Sequence, residues 1–264
     1  MAIQLHQLTA AIYLVAGLVA WLGLSMRSAR LERVSVGVLA LGVVAHFAAF
    51  SRLHTADPPP PLTDLPAAIS LMAFAGTLFF LLLQRWVRLA GLAVLVAPVA
   101  FVSVFFAALR LPNAGPATFG GSGSWPHAHV LLSSAGLALL GMSGLAGVLY
   151  LLEHRRLKAR RPIVTRFPLP SLEALDRVNA VALGAGFPLL TLGVATGMLW
   201  VEVVKGTWWT GSSHETWTSI AWGVYAVLAA ARFGARQGSR QAAASAVGGF
   251  AFLIFAVIGV EIFA

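Results

Sequence analysis

Cysteine is missing from this 264-residue chain. Thioether-attached cofactors, iron–sulfur clusters, thiolate metal sites and disulfide exchange on the chain itself are thereby excluded. Charge is scarce too: Asp, Glu, Lys and Arg make up 10% of the residues, where a soluble domain carries roughly a quarter. With 59% hydrophobic residues and a mean hydropathy of +0.85, the composition rules out a soluble globule. What the chain has instead is apolar runs of about 17–25 residues, each long enough to cross a bilayer as a helix. The opening MAIQLHQLTA lacks the basic stretch of a cleaved signal peptide, so the first helix is expected to be retained.

The net charge of +9 does not point to nucleic acid, because the basic residues fall in short blocks between the apolar runs. The reading is an all-α polytopic membrane protein, one domain over 1–264 with no repeat and no boundary. Eight transmembrane helices are expected at about 8–26, 34–50, 65–83, 89–109, 129–152, 178–204, 216–231 and 242–263. The connections after the first, third, fifth and seventh helices carry fifteen of the eighteen Lys and Arg residues. The opposite side carries only Arg52, Arg110 and Lys205. That asymmetry predicts both termini on the non-cytoplasmic side.

Three connections then face outward. SRLHTADPPPPLTDLP is stiffened by its proline run, and LPNAGPATFGGSGSWPHAH is rich in Gly, Ser and Pro. The third, within GMLWVEVVKGTWWTGSSHETW, holds four tryptophans and one histidine. Inside, EHRRLKARRPIVTRFPLPSLEALDRVN is basic and then reads as the start of a short amphipathic helix with Ser171 as its N-cap. Of seven histidines, only His154 belongs to the basic inner face. His6 and His127 read as solvated loop residues, and His54 as an exposed residue following the second helix. His46 is expected about four residues inside the second span, roughly 6 Å deep, and His129 opens the fifth span at a similar level. An imidazole within a span is costly unless it pairs or ligates, so these two are the leading functional candidates.

Several neutral imidazoles, a tryptophan cluster, nearby cations and no thiols together suit haem. Its iron takes axial histidines, its faces take flat apolar partners, and its propionates take Arg or Lys at the water boundary. Zinc or copper would also use histidine but would leave the tryptophans unexplained. Interfacial tryptophans also serve as ordinary anchors, a reading that fits Trp200, Trp217 and Trp222. Adjacent Trp208 and Trp209 fit it less well, since neighbours cannot both face the headgroups in one orientation.

GMLWVEVVKGTWWTGSSHETWTSIAWGVYA resembles the tryptophan-rich signature of the cytochrome c assembly protein family, the CcsA-, CcmC- and HemX-like haem-handling membrane proteins. The family pattern is approximately G-x-x-W-A-x-x-x-W-G-x-Y-W-x-W-D-P-K-E-x-W, followed by W-x-x-Y. Gly197, Trp200, Gly206, Trp209, Glu215, Thr216, Trp217, Trp222 and Tyr225 fall in its register with no gap. HVLLSSAGLALLGMSGLAGVLYLLEHRRLK is similar to the family helix that begins with an outer histidine, here His129. ARQGSRQAAASAVGGFAFLIFAVIGVEIF resembles its closing segment, so the likeness covers about 125–263. Departures are Lys205 and Gly211 for two of the tryptophans, Ser212 for the aspartate and His214 for the lysine. Ala230 stands near the place of the family's in-membrane histidine, and the sequence ends at Ala264, before the family's second outer histidine. These departures move the chain toward the smaller HemX-like branch.

The resemblance implies a membrane protein of cytochrome c biogenesis that holds or presents non-covalent haem b at the outer face of the bacterial inner membrane. It would act as a carrier or assembly subunit rather than a self-sufficient lyase. An outer-side assembly partner and apocytochrome c would work with it. The expected pocket lies between the second, fifth, sixth and seventh helices. His129 is one axial ligand there and His46 the leading second, with His54 or His214 behind it. Trp208, Trp209 and Trp217 cover the macrocycle, and Arg52, Arg110 or Lys205 take propionates. The alternative is a HemX-like regulatory or accessory protein, without haem transfer, that works through its basic inner loop.

Overall fold

The computed structural model describes residues 2–55, 64–87, 89, 91–111, 124–159 and 170–263. The Pro58–61 run, the Gly/Ser/Pro stretch 112–123 and Arg160, Arg161 and Arg166 of the basic connection lie outside the described residues. The described chain is helical throughout: α1 Ala2–Met26, α2 Ala29–His54, α3 Leu65–Leu83, α4 Ala93–Arg110, α5 Ser124–Lys158, α6 Leu172–Lys205, α7 Ser213–Ala229 and α8 Ser239–Phe263. A π-helical turn, Ala230–Gly234, continues α7. Six helices, α1 to α6, are long and apolar enough to cross a membrane among the described residues. This is a multi-pass membrane protein.

Several helix ends differ from the sequence reading, because the helices run on into polar residues beyond the apolar runs. α5 starts at Ser124, before His129, which puts His129 a full turn inside the helix. Ser171 does cap, its Oγ accepting from Ala174 N at 3.2 Å, but the helix it starts continues as α6 to Lys205. No separate short helix forms there. α2 runs to His54, which therefore belongs to its last turn and not to the following loop.

Internal contacts divide the chain into two compact units, Met1–Gly120 with Arg155–Ala174, and Gly121–His154 with Leu175–Ala264. In the first unit, α1 and α2 are joined by one tight turn. Arg27 adopts a positive φ of 53° there, and Ser28 caps α2 by accepting from Leu31 N. Their packing is polar at its centre. Ser35 Oγ donates to Ala16 O at 3.0 Å. Tyr13 Oη lies 3.3 Å from His46 Nδ1, and Ser70 Oγ of α3 lies 2.9 Å from His46 Nε2. His6, expected in solvent, is fully buried because α1 begins ahead of it. Its ring stands 5.9 Å from that of His46 and 5.6 Å from that of Phe50.

In the second unit, α5, α6, α7 and α8 enclose Leu140, Leu183, Leu190, Tyr225 and Leu253. Small residues bring α5 and α6 into backbone contact: a Cβ on Gly136 would lie 2.6 Å from Leu190 N. Toward the C-terminal end of α5, Asn179 Nδ2 donates to Ser143 O and Oγ, at 3.1 and 3.0 Å. One helical turn away, Arg232 of the π turn pairs with Asp176 of α6 at 2.8 Å.

Candidate functional site

α5 and α6 approach closely near the N-terminal end of α5, and His129 is seated there. Gly193 and Gly197, one turn apart on α6, leave the room. A Cβ on Gly197 would come within 2.6 Å of His129 Nδ1, and one on Gly193 would strike Ser133. His129 Nδ1 lies 2.8 Å from Gly193 O. A carbonyl can only accept, so Nδ1 carries the proton and Nε2 keeps the lone pair. Gly193 O also accepts from Thr196 Oγ1 at 2.9 Å. The result is a half-buried imidazole of fixed tautomer, its ring 6.2 Å from that of Trp200 and 6.3 Å from that of His214.

His214 arrives from the other side of the tryptophan-rich connection. α6 ends at Gly206, whose φ of 67° turns the chain while its N–H bonds Glu202 O at 2.8 Å. Ser212 then opens α7, its Oγ accepting from Glu215 N at 3.2 Å. Glu215 in turn accepts from Thr210 N at 2.7 Å, Thr210 Oγ1 at 2.6 Å and Gly211 N at 2.9 Å. This is a capping box whose carboxylate reaches back along the loop. Desolvation pushes the Glu215 carboxyl up, but the hydrogen bonds from Thr210, Gly211 and Ser212 outweigh it and hold the group below the ordinary carboxylate range. The cap sets His214 in the first turn of α7. His214 as a residue is exposed, yet enough protein crowds its ring that desolvation, and then the His129 ring, push its pKa down, with Glu215 opposing.

Trp208 and Trp209 stand out from this connection, 52% and 47% exposed. Trp217 packs elsewhere, its ring 5.3 Å from Phe255 and 6.4 Å from Phe252 of α8. Lys205, at the end of α6, is exposed in the same unit. Arg52, Arg110 and His46 belong to the first unit, as does His54 at the end of α2. Arg52 is exposed in the last turn of α2, and the Arg110 guanidinium lies 5.5 Å over the Phe106 ring. His46 is fully buried, stacked on Phe50 at 5.1 Å, with both nitrogens within hydrogen-bond distance of hydroxyls. The structure therefore joins His129 with His214 and Trp200, while His46 is held by Tyr13 and Ser70.

Two imidazoles on one metal ion need ring centroids roughly 6 Å apart, two bonds of ~2.0 Å plus two ring radii of ~1.2 Å. The 6.3 Å between His129 and His214 meets that requirement. Among the described residues no group of three or more His, Asp or Glu side chains could hold a bare metal ion. The His129 ring thus has one imidazole and one indole, those of His214 and Trp200, within about 6.3 Å.

The sequence reading did not single out Gly193, met Gly197 and Glu215 only as positions in register with the signature, and left Trp200 open between an interfacial anchor and a signature position. The Gly-x-x-x-Gly of Gly193–Gly197 and the Ser-x-x-Glu of Ser212–Glu215 were the signals available.

Residues 62–264 match the family described as Cytochrome C assembly protein. Similar proteins include the cytochrome c biogenesis protein CcsA of Prochlorococcus marinus (strain MIT 9303), 27% identical over 231 residues, covering 76% of this chain and 73% of that protein. The CcsA of Guillardia theta is 26% identical over 220 residues, with 76% and 73% covered. That of Chlamydomonas reinhardtii is 26% identical over 209 residues, with 76% and 58% covered. The family match takes in His129, His214 and the tryptophan-rich connection, whereas His6 and His46 precede it.

Proposed function

This chain belongs to the cytochrome c assembly protein family, and from that premise we propose that it serves cytochrome c biogenesis by holding haem b, without a covalent bond, as cargo at the outer face of the membrane. The observation that carries the reading is the approach of the His129 and His214 rings within one unit, their centroids 6.3 Å apart. His129 and His214 are the proposed ligands. Trp208 and Trp209 would give flat apolar cover and Lys205 would take a propionate, while Trp200 backs the His129 ring. His46 is not needed as a ligand, because both its nitrogens are already engaged. The CcsA relatives favour this assembly role over a regulatory one.

The topology that goes with it has eight spans and both termini outside. α7 has 17 residues and the π turn adds five, a continuous helical stretch of about 30 Å. Fifteen basic residues then fall on the cytoplasmic side. An outer-side assembly partner and apocytochrome c would receive the cargo, with the bacterial inner membrane as the location.

Detergent-purified protein titrated with hemin should develop a Soret band, with sharp α/β bands on dithionite reduction. His129→Ala should abolish the band and His46→Ala should leave it. A wild type that takes up no hemin would sink the haem reading.

A further inference from the structure

The connection from α7 to α8 is short and basic. It holds Arg232, Arg236 and Arg240, and the first turns of α6 bring Arg177 with two acids, Glu173 and Asp176. Arg232 is engaged with Asp176 at 2.8 Å and also donates from Nη1 to Gln237 O at 3.4 Å. Gln237 N bonds Ala231 O at 3.1 Å, and Gln237 Nε2 donates to Ser245 Oγ of α8 at 3.0 Å. The turn is therefore tied to α6, to the π turn and to α8 at once. Arg177, Arg236 and Arg240 are exposed and make no ion pair among the described residues. Phe233 is 52% exposed, and its ring lies against α6 at Gly184, where a Cβ would come within 3.3 Å of it. Gly184 is roughly 12 Å further along α6 than Asp176. α6 has 34 residues where a bilayer core takes about 20, which leaves its polar first turns at headgroup level. The ring thus points along the apolar stretch of α6, while the arginines stay at its polar end.

Arg236 is where the turn departs from what orientation in the membrane requires. Its φ is 49°, in the left-handed region that glycine adopts freely and a residue with a Cβ resists. A charge that only orients the chain could stand at any position of the turn, and Gly234 and Gly238 flank this one. Arg27, in the turn between α1 and α2, repeats the feature with a φ of 53°. Side chains kept on strained backbone gather where a ligand is clamped. Guanidinium forks match the oxygens of a phosphate diester, and three of them without carboxylates at the polar end of a helix bundle form a site for one. We propose that the α7–α8 turn binds the headgroup of an anionic phospholipid. Arg236 and Arg240, with Arg177 of α6, take the headgroup, and Phe233 lies against the acyl chains. The bound lipid bridges α6 and the α7–α8 turn, beside the Arg232–Asp176 pair that already joins them.

The test uses the full chain in nanodiscs of phosphatidylcholine alone or with added phosphatidylglycerol, read by thermal unfolding and by native mass spectrometry of retained lipid. Phosphatidylglycerol should raise the unfolding midpoint by about 3 °C or more, and inorganic phosphate should not. Arg236→Gln and Arg240→Gln should each weaken phosphatidylglycerol retention about fivefold, the worth of one cation near an anionic surface. Arg85→Gln, at an exposed arginine just after α3, should change it by less than about twofold. Arg236→Gly separates lipid binding from folding. It should be more stable than wild type in phosphatidylcholine, because glycine accepts the positive φ, and yet gain less from phosphatidylglycerol. A phosphatidylglycerol effect that survives both Arg236 variants, that falls equally in Arg85→Gln, or that inorganic phosphate reproduces overturns the proposal. A wild type indifferent to phosphatidylglycerol overturns it as well.

Discussion

Glu215 shows how a single side chain can organise the proposed site without touching it. Its carboxylate accepts from Thr210 and Gly211 and stands in the cap that places His214. Because these bonds lower its folded pKa, their stabilisation is fully present above the unfolded glutamate value of about 4.3 and is lost as the pH falls through the lowered folded value. Tryptophan fluorescence should therefore hold steady from pH 7 to 5 and change only in more acid solution. Glu215→Gln should already show the altered emission at pH 7, and its hemin uptake should be weaker. His46 makes the contrasting case. His46→Ala strips a partner from both Tyr13 and Ser70 inside the membrane and should cost about 2–4 kcal/mol of stability in a detergent unfolding assay, with hemin uptake unchanged. Both residues are visible in the sequence, but their jobs are not. A buried histidine satisfied by hydroxyls on two other helices reads the same along the chain as a ligand. A glutamate three residues after a serine differs from any surface glutamate only through the cap.

At the scale of elements, α5 and α6 work as one piece because glycines let their backbones meet. The proximity that seats His129 also fixes the register at Gly136. Toward the other end of the same pair, Asp176 and Arg232 tie α6 to the π turn after α7, their side chains 25% and 12% exposed. Asp176→Ala leaves a largely enclosed guanidinium without its carboxylate and should lower stability by about 3 kcal/mol. Adding Arg232→Met should recover much of that loss in a double-mutant cycle followed by thermal unfolding. The sequence reading counted Arg232 only as a topology charge. The π turn that carries it to Asp176 has no hydropathy signature, since one extra residue in a helical turn leaves the apolar run unbroken. Helix existence was legible for a simple reason: in lipid the backbone must satisfy itself, so apolar runs report helices directly. Their ends were less so. Ser28 and Ser171 cap turns that hydropathy assigns to loops, and α5 begins five residues ahead of His129.

For the whole molecule, the histidines that hydropathy alone had grouped by depth are distributed over two compact units. His6 and His46 share one unit and His129 and His214 the other. Apolar runs and charge gave only an expected depth for each residue, whereas lateral neighbourhood depends on which helices pack together, and that is absent from any single run. Topology is open to a clean test because the chain has no cysteine of its own. Single cysteines introduced at Ser213 and at Lys158 should label in opposite senses with a membrane-impermeant maleimide on intact cells. Ser213→Cys should react from outside and Lys158→Cys only after permeabilisation. Reaction of both from the same side would remove the eight-span arrangement.

The half-exposed indoles of Trp208 and Trp209, close in sequence to the His214 cap, have an optical consequence. Five of the eight tryptophans fall between residues 200 and 222. An indole excited within a few nanometres of a strongly absorbing porphyrin gives up its energy instead of emitting. The chain thus carries its own gauge of occupancy: its ultraviolet emission should dim as cargo arrives and brighten as it leaves, with no label attached. Timing that recovery against an added acceptor would clock the departure of the cargo in real time.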